Sequence, residues 1–150
     1  MSINYIKGDL LKLLKSPIQK YILHSCNCLG SWGGGFAYQL SNRYPQARQA
    51  YERYCSDNTN TLGTAILIPS DDHKYQIICL FTSMGGGGLQ DSPNEILKNT
   101  EKALNHLKTK IDEDSEIHMP MINSGIFRTP WEDTTNILQK FNYKYNVYVL

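Results

Sequence analysis

The segment His24-Ser25-Cys26-Asn27-Cys28-Leu29-Gly30-Ser31-Trp32-Gly33-Gly34-Gly35 runs from the end of an apolar strand into the start of a helix. Tyr21-Ile22-Leu23-His24-Ser25 supplies the strand, and Phe36 to Arg43 supplies the helix. The helix stops near Tyr44-Pro45, because the residue before a proline avoids the α region. Between them, Gly30 to Gly35 can only be a loop. Consecutive glycines remove side chains where a backbone must approach something closely. The helix start beyond them offers unpaired N–H groups and partial positive charge, which suits a phosphate. A glycine-rich connector without a ligand is the simpler reading. The strand–helix junction, with Asn27 and His24 beside it, favours a ligand loop.

Outward from this segment, strands and helices alternate. Asn4 to Lys7 reads as a first strand, followed by a short helical or turn segment broken at Ser16-Pro17. Ala47, Ala50, Tyr51, Tyr54 and Cys55 share one helical face. Thr64 to Pro69 and Tyr75 to Thr82 read as strands joined by the short polar turn Ser70 to Lys74, an antiparallel pair. Met84 to Gly88 is a second glycine loop, either a lid or a plain connector. Ser92-Pro93-Asn94-Glu95 matches a capped helix start, and Ile96, Leu97, Thr100, Leu104, Leu107 and Ile111 give that helix a buried stripe. Glu116 to Asn123 reads as a strand and Ser124-Gly125 as a turn. Thr129-Pro130-Trp131-Glu132 repeats the helix-start chemistry, with Trp131, Thr134, Leu138 and Phe141 as its stripe. Tyr145 to Leu150 closes the chain as a strand. Tyr143, Tyr145 and Tyr148 either pack that strand or stack on a base, and strand alternation favours packing. The fold class is α/β, a mixed sheet between helices. The length of 150 residues points to a single domain.

Composition narrows the function. Lys+Arg 15 against Asp+Glu 14 leaves a net charge of +1, without the basic excess of a dedicated nucleic-acid binder. A hydrophobic share of 41% excludes a disordered chain. The longest apolar run, Ile77 to Phe81, falls far short of the about 20 residues of a membrane span. The start, Met1 to Lys7, lacks a secretory pattern, so an intracellular protein with reduced cysteines is expected.

Ligands of open α/β sheets bind beyond the C-terminal ends of strands. That nominates three loops: Gly8-Asp9-Leu10, the His24 to Gly35 segment, and Asn123-Ser124-Gly125-Ile126-Phe127. The glycine pattern is not the dinucleotide fingerprint and lacks the Gly-Lys-Ser/Thr of a triphosphate loop. Nor is it a cysteine-phosphatase loop, since no Arg occurs before Arg43. His24-x-Cys26-x-Cys28 is too few ligands for a structural zinc. Cys55 and Cys79 read as packing residues, so no metal ligand is assigned. His24 reads either as a hydrogen-bonded core histidine or as a proton-transfer group, a role suited to an imidazole with its ordinary pKa of about 6.5. His73, His106 and His118 look ordinary. The Asn123 to Phe127 loop reads as a diphosphate clasp or as a simple connector.

Gly8-Asp9-Leu10, the Asn27 loop with Gly33-Gly34-Gly35, and Asn123 to Phe127 with Pro130-Trp131 together resemble a macro domain, over the whole chain. His24 to Gly35 and Ile122 to Phe127 are particularly similar to the fungal ADP-ribose 1''-phosphate phosphatases. The resemblance implies a three-layer α/β/α fold with a mixed central sheet and a cleft for ADP-ribose at the strand ends. It implies that Asp9, with Gly8 and Leu10, meets the adenine. Ser25, Cys26, Asn27, Trp32, Gly33, Gly34, Gly35, Phe36 and Ala37 would hold the diphosphate and distal ribose from one side. Asn123, Ser124, Gly125, Ile126, Phe127 and Arg128 would close over it from the other. His24 and Asn27 take the catalytic positions. A related branch removes ADP-ribose from protein carboxylates with a Lys and an Asp; Ser83-Met84 and Phe127 stand at those places, so that pair is missing.

The expected activity is metal-independent hydrolysis of ADP-ribose 1''-phosphate to ADP-ribose and phosphate. No cofactor is expected. The alternatives are a module that binds ADP-ribose without cleaving it, and a mono-ADP-ribosyl-protein hydrolase. The expected partners are ADP-ribose derivatives and ADP-ribosylated proteins, with no membrane and no direct nucleic-acid contact.

Overall fold

The computed structural model describes residues 2–14, 21–86, 88–125 and 127–150. The Ser16-Pro17 break and Ile126 lie outside the described residues. A six-stranded sheet has the order β1-β6-β5-β2-β4-β3. Its strands are β1 (Ser2–Lys7), β2 (Tyr21–Asn27), β3 (Ala65–Pro69), β4 (Gln76–Ser83), β5 (Glu116–Pro120) and β6 (Lys144–Val149). All neighbours are parallel except β3, which runs antiparallel to β4 as the Ser70–Lys74 turn requires.

Period-two alternation sends side chains to opposite faces of a strand. Ile22 and Cys26 of β2, with Ile77, Cys79 and Phe81 of β4, face helices α1 (Leu10–Leu13), α2 (Gly35–Arg43) and α3 (Pro45–Asp57). Leu23, Ile78 and Leu80 face α4 (Pro93–Leu107) and α5 (Trp131–Leu138) on the other side. The layers are therefore α/β/α with a mixed sheet. Tyr143 and Tyr145 are fully buried against α4 and α5, and Tyr148 lies in the opposite layer. All three pack the core and none is exposed.

Two local expectations are corrected. The strand expected to reach Asn123 ends at Pro120, because proline brings no N–H to the ladder. The turn beyond it puts Asn123 at φ 66°. Thr129 does not cap α5: its hydroxyl donates to the Phe127 carbonyl at 3.3 Å, and Pro130 takes the cap position. By contrast, Ser92 caps α4 as expected, its Oγ accepting from the Glu95 N–H at 3.3 Å.

The topology positions a crevice. From β2 the chain moves outward to β3 and β4, and from β5 it moves the other way to β6. Adjacent parallel strands whose connections diverge form the switch point where α/β sheets bind ligands. Among the described residues, β2 and β5 pair only at Tyr21–Ile117 and Ile22–His118. Beyond Ile22 the described ladder between the two strands ends.

Candidate active site

A cavity of about 460 Å³ opens at this crevice, within the usual size of a small-molecule site. One wall is the end of β2 and its loop, from His24 to Asn27, then Leu29, Ser31 and Trp32. Gly33, Gly34, Gly35, Phe36 and Ala37 form the turn into α2. The opposite wall is Pro120, Met121, Ile122, Asn123, Gly125 and Phe127, and Gly86 of the second glycine loop reaches the rim.

The glycine turn is built as an anion seat. Gly34 is the N-cap of α2 and provides no side-chain capping bond, so the first-turn amides lack an intrahelical acceptor. Gly35 sits at φ 59°, a left-handed conformation that L side chains rarely adopt. Upstream, Asn27 folds the loop. Its Oδ1 accepts from the N–H of Leu29 at 3.0 Å and of Ser31 at 3.2 Å, and its Nδ2 donates to the Ser31 carbonyl at 2.8 Å. The Tyr51 hydroxyl of α3 donates to the Asn27 carbonyl at 2.6 Å, with Asn27 Oδ1 3.1 Å away. These bonds make Asn27 a positioning residue, held from behind by Tyr51.

His24 is 2% exposed on the cavity wall. Trp32 and Phe36 meet its ring edge-on, at centroid distances of 5.0 and 6.0 Å. Its Nε2 lies 3.3 Å from Cys26 Sγ and 3.7 Å from Cys79 Sγ. Thiols are weak hydrogen-bond partners, and the described ring contacts include no carboxylate. Burial, reinforced by Cys79, holds the Cys26 thiol well above its ordinary range, with His24 opposing in part. Cys26 is therefore a protonated thiol rather than a ready nucleophile. Trp32 stacks on Tyr51 at 4.8 Å, and its buried Nε1 has no hydrogen-bond partner among the described residues.

The opposite loop presents backbone. The buried Asn123 side chain turns away from the cavity: Oδ1 accepts from Thr82 Oγ1 at 3.1 Å and Nδ2 donates to Thr100 Oγ1 at 3.0 Å. Its N–H donates to Ser25 Oγ at 3.3 Å, which ties the two walls together. Ser124 Oγ donates to the Met121 carbonyl at 2.7 Å, so it fixes the turn. Arg128 is exposed at φ 53°. Neither Ser124 nor Arg128 lines the cavity.

Gly8, Asp9 and Leu10 are not part of this wall either. They stand at the same edge of the sheet but at the end of β1, with β6 and β5 between them and β2. Asp9 Oδ1 accepts from the Leu11 N–H at 3.0 Å and caps α1, while Leu10 is buried in the core. Sequence reasoning missed Tyr51, Gly86 and the Pro120–Ile122 segment. It also missed the clamp on the second glycine loop. There Asp91 Oδ2 accepts from the Met84 N–H at 3.0 Å, and Ser83 Oγ accepts from the Asp91 N–H at 2.9 Å. Cys79 was read as packing alone, yet it joins His24 in the cluster that Cys28 does not enter.

Residues 23–138 match the model of the macro domain family. An ADP-ribose 1''-phosphate phosphatase of Candida albicans is 41% identical over 99% of both chains. One from Saccharomyces cerevisiae is 40% identical over 94% of this chain and 93% of its own. The macrodomain of Mycobacterium tuberculosis DarG superposes with a TM-score of 0.76 at 24% identity, over 99% of this chain and 98% of its own. Family match, full-length relatives and superposition agree, and the chain belongs to the macro domain family.

Proposed function

We propose that the chain is an ADP-ribose 1''-phosphate phosphatase working in the β2–β5 cavity. Full-length identity of 41% and 40% to two phosphatases of that name supports the activity. The observation that carries the site is the meeting of His24, the uncapped start of α2 and the Asn123–Phe127 loop on one cavity.

Catalysis of phosphoryl transfer is mostly positioning and charge stabilisation. First-turn amides of α2 hold the phosphoryl oxygens. Water attacks phosphorus, the bond from phosphorus to the 1'' oxygen breaks, and His24 carries a proton between the two oxygens. Asn27 keeps the loop in register. Cys26 stays protonated, so no thiolate intermediate is involved.

The test is phosphate release from ADP-ribose 1''-phosphate with a chelator present. Release is expected, with ADP-ribose binding seen by calorimetry. Tight binding without release would make the chain a binding module instead. Protein-linked ADP-ribose is the second substrate reading, favoured by Leu29 and Met121, which line the cavity yet remain exposed enough to meet a protein. A labelled ADP-ribosylated protein that keeps its label on long incubation would remove that reading.

A further inference from the structure

At the cavity wall His24 stands beside two thiols that phosphoryl transfer does not require. His24 and Cys26 lie two apart on β2 and so share a face. The parallel register places Cys79 of β4 directly beside His24. The ligating atoms of His24, Cys26 and Cys79 lie within 4.8 Å of one another, all three residues being buried. The spacing within the group is informative. A tetrahedral zinc with bonds of about 2.3 Å to sulfur and about 2.0 Å to nitrogen sets its nitrogen and sulfur ligands about 3.5 Å apart. His24 Nε2 stands 3.3 Å from Cys26 Sγ and 3.7 Å from Cys79 Sγ; Nδ1 is 3.8 Å from Cys26 Sγ, so the Cys26 thiol lies beside the ring and turns toward the Nε2 lone pair when a metal is shared. His24 and Cys26 line the cavity, which supplies the entry path. Cys79, fully buried, completes the set from the strand beside them.

We propose that His24, Cys26 and Cys79 form a binding site for a soft divalent cation such as Zn²⁺, and that its occupation stops phosphate release. Two thiolates and one imidazole are the ligand chemistry that selects such ions. Each thiol gives up its proton as its sulfur binds, and no electron is transferred. The metal takes the Nε2 lone pair, so His24 can no longer carry a proton. This second half rests on the catalytic reading of His24; the binding half does not.

Co²⁺, which reports sulfur ligation by charge-transfer absorption, is titrated into the reduced full chain, and phosphate release is followed against Zn²⁺. The parent protein is expected to develop thiolate–cobalt absorption at one equivalent. About one equivalent of Zn²⁺ should stop release, a chelator should restore it, and the midpoint of thermal unfolding should rise with zinc. Cys79→Ala and Cys79→Ser should keep the parent's basal release, lose the absorption and resist zinc at least tenfold. The pair covers the case in which one replacement does not fold. Absence of thiolate–cobalt absorption in the parent would overturn the site. So would zinc inhibition that persists unchanged in both Cys79 variants, which would place the ion elsewhere. Saturating absorption with undiminished release would overturn the inhibitory half. His24→Ala separates that failure from one of the catalytic reading. If the variant is inactive, the reading stands and only the inhibition fails. If it is fully active, the reading itself fails, and the binding half is judged on absorption alone.

Discussion

Tyr51 carries more of the site than its place on a helix face suggests. Its hydroxyl reaches the Asn27 carbonyl at 2.6 Å, and its ring stacks on Trp32, which in turn meets His24. Burial pushes the phenol well above its ordinary pKa, so it remains a donor at working pH. Tyr51→Phe keeps the ring but removes the donor, leaving a loop-anchoring carbonyl one bond short. The expected cost is about 1–2 kcal/mol in urea unfolding, together with a raised KM for ADP-ribose 1''-phosphate. An unchanged KM would show that the loop holds its shape without Tyr51. Partners of this kind are hidden from one-dimensional reading: Asn27 and Tyr51 are separated by 24 positions, and His24 and Cys79 by 55. Neither pair has a local signature, since both arise from strand register and helix docking.

At the scale of elements, the turn into α2 was legible because three glycines before a helix allow few other structures. The Thr64–Thr82 hairpin was legible from its short polar turn, and α4 from its capping box. The end of β5 was not, because apolar Met121 and Ile122 continue the strand pattern while Pro120 stops the ladder. The start of α2 gives its own prediction. Gly35→Ala forces a β-carbon into φ 59°, at a cost of about 1–2 kcal/mol. The turn should relax away from the cavity, and ADP-ribose affinity by calorimetry should fall at least tenfold. Retained affinity would detach the α2 amides from ligand binding.

The whole molecule should soften in mild acid. His118 is buried in β5 beside Tyr148, whose hydroxyl lies 2.8 Å from Nδ1, and Glu116, 3.6 Å from Nε2. Burial lowers its pKa, with the Glu116 charge opposing in part. A histidine depressed in the folded state takes up its proton more readily when unfolded. The unfolding free energy should therefore fall as pH drops below the unfolded value of about 6.5 and on toward the folded one. His118→Gln should flatten that slope in denaturant titrations across the window; an unchanged slope would assign it to other groups. The central claim is that His24 performs chemistry at the loop rather than merely filling the wall. Steady-state phosphate release by the parent and by His24→Ala, with ADP-ribose affinity measured on both, tests it most directly. A fall in kcat of about 100-fold or more at unchanged affinity is predicted, and equal turnover in the two proteins would contradict it.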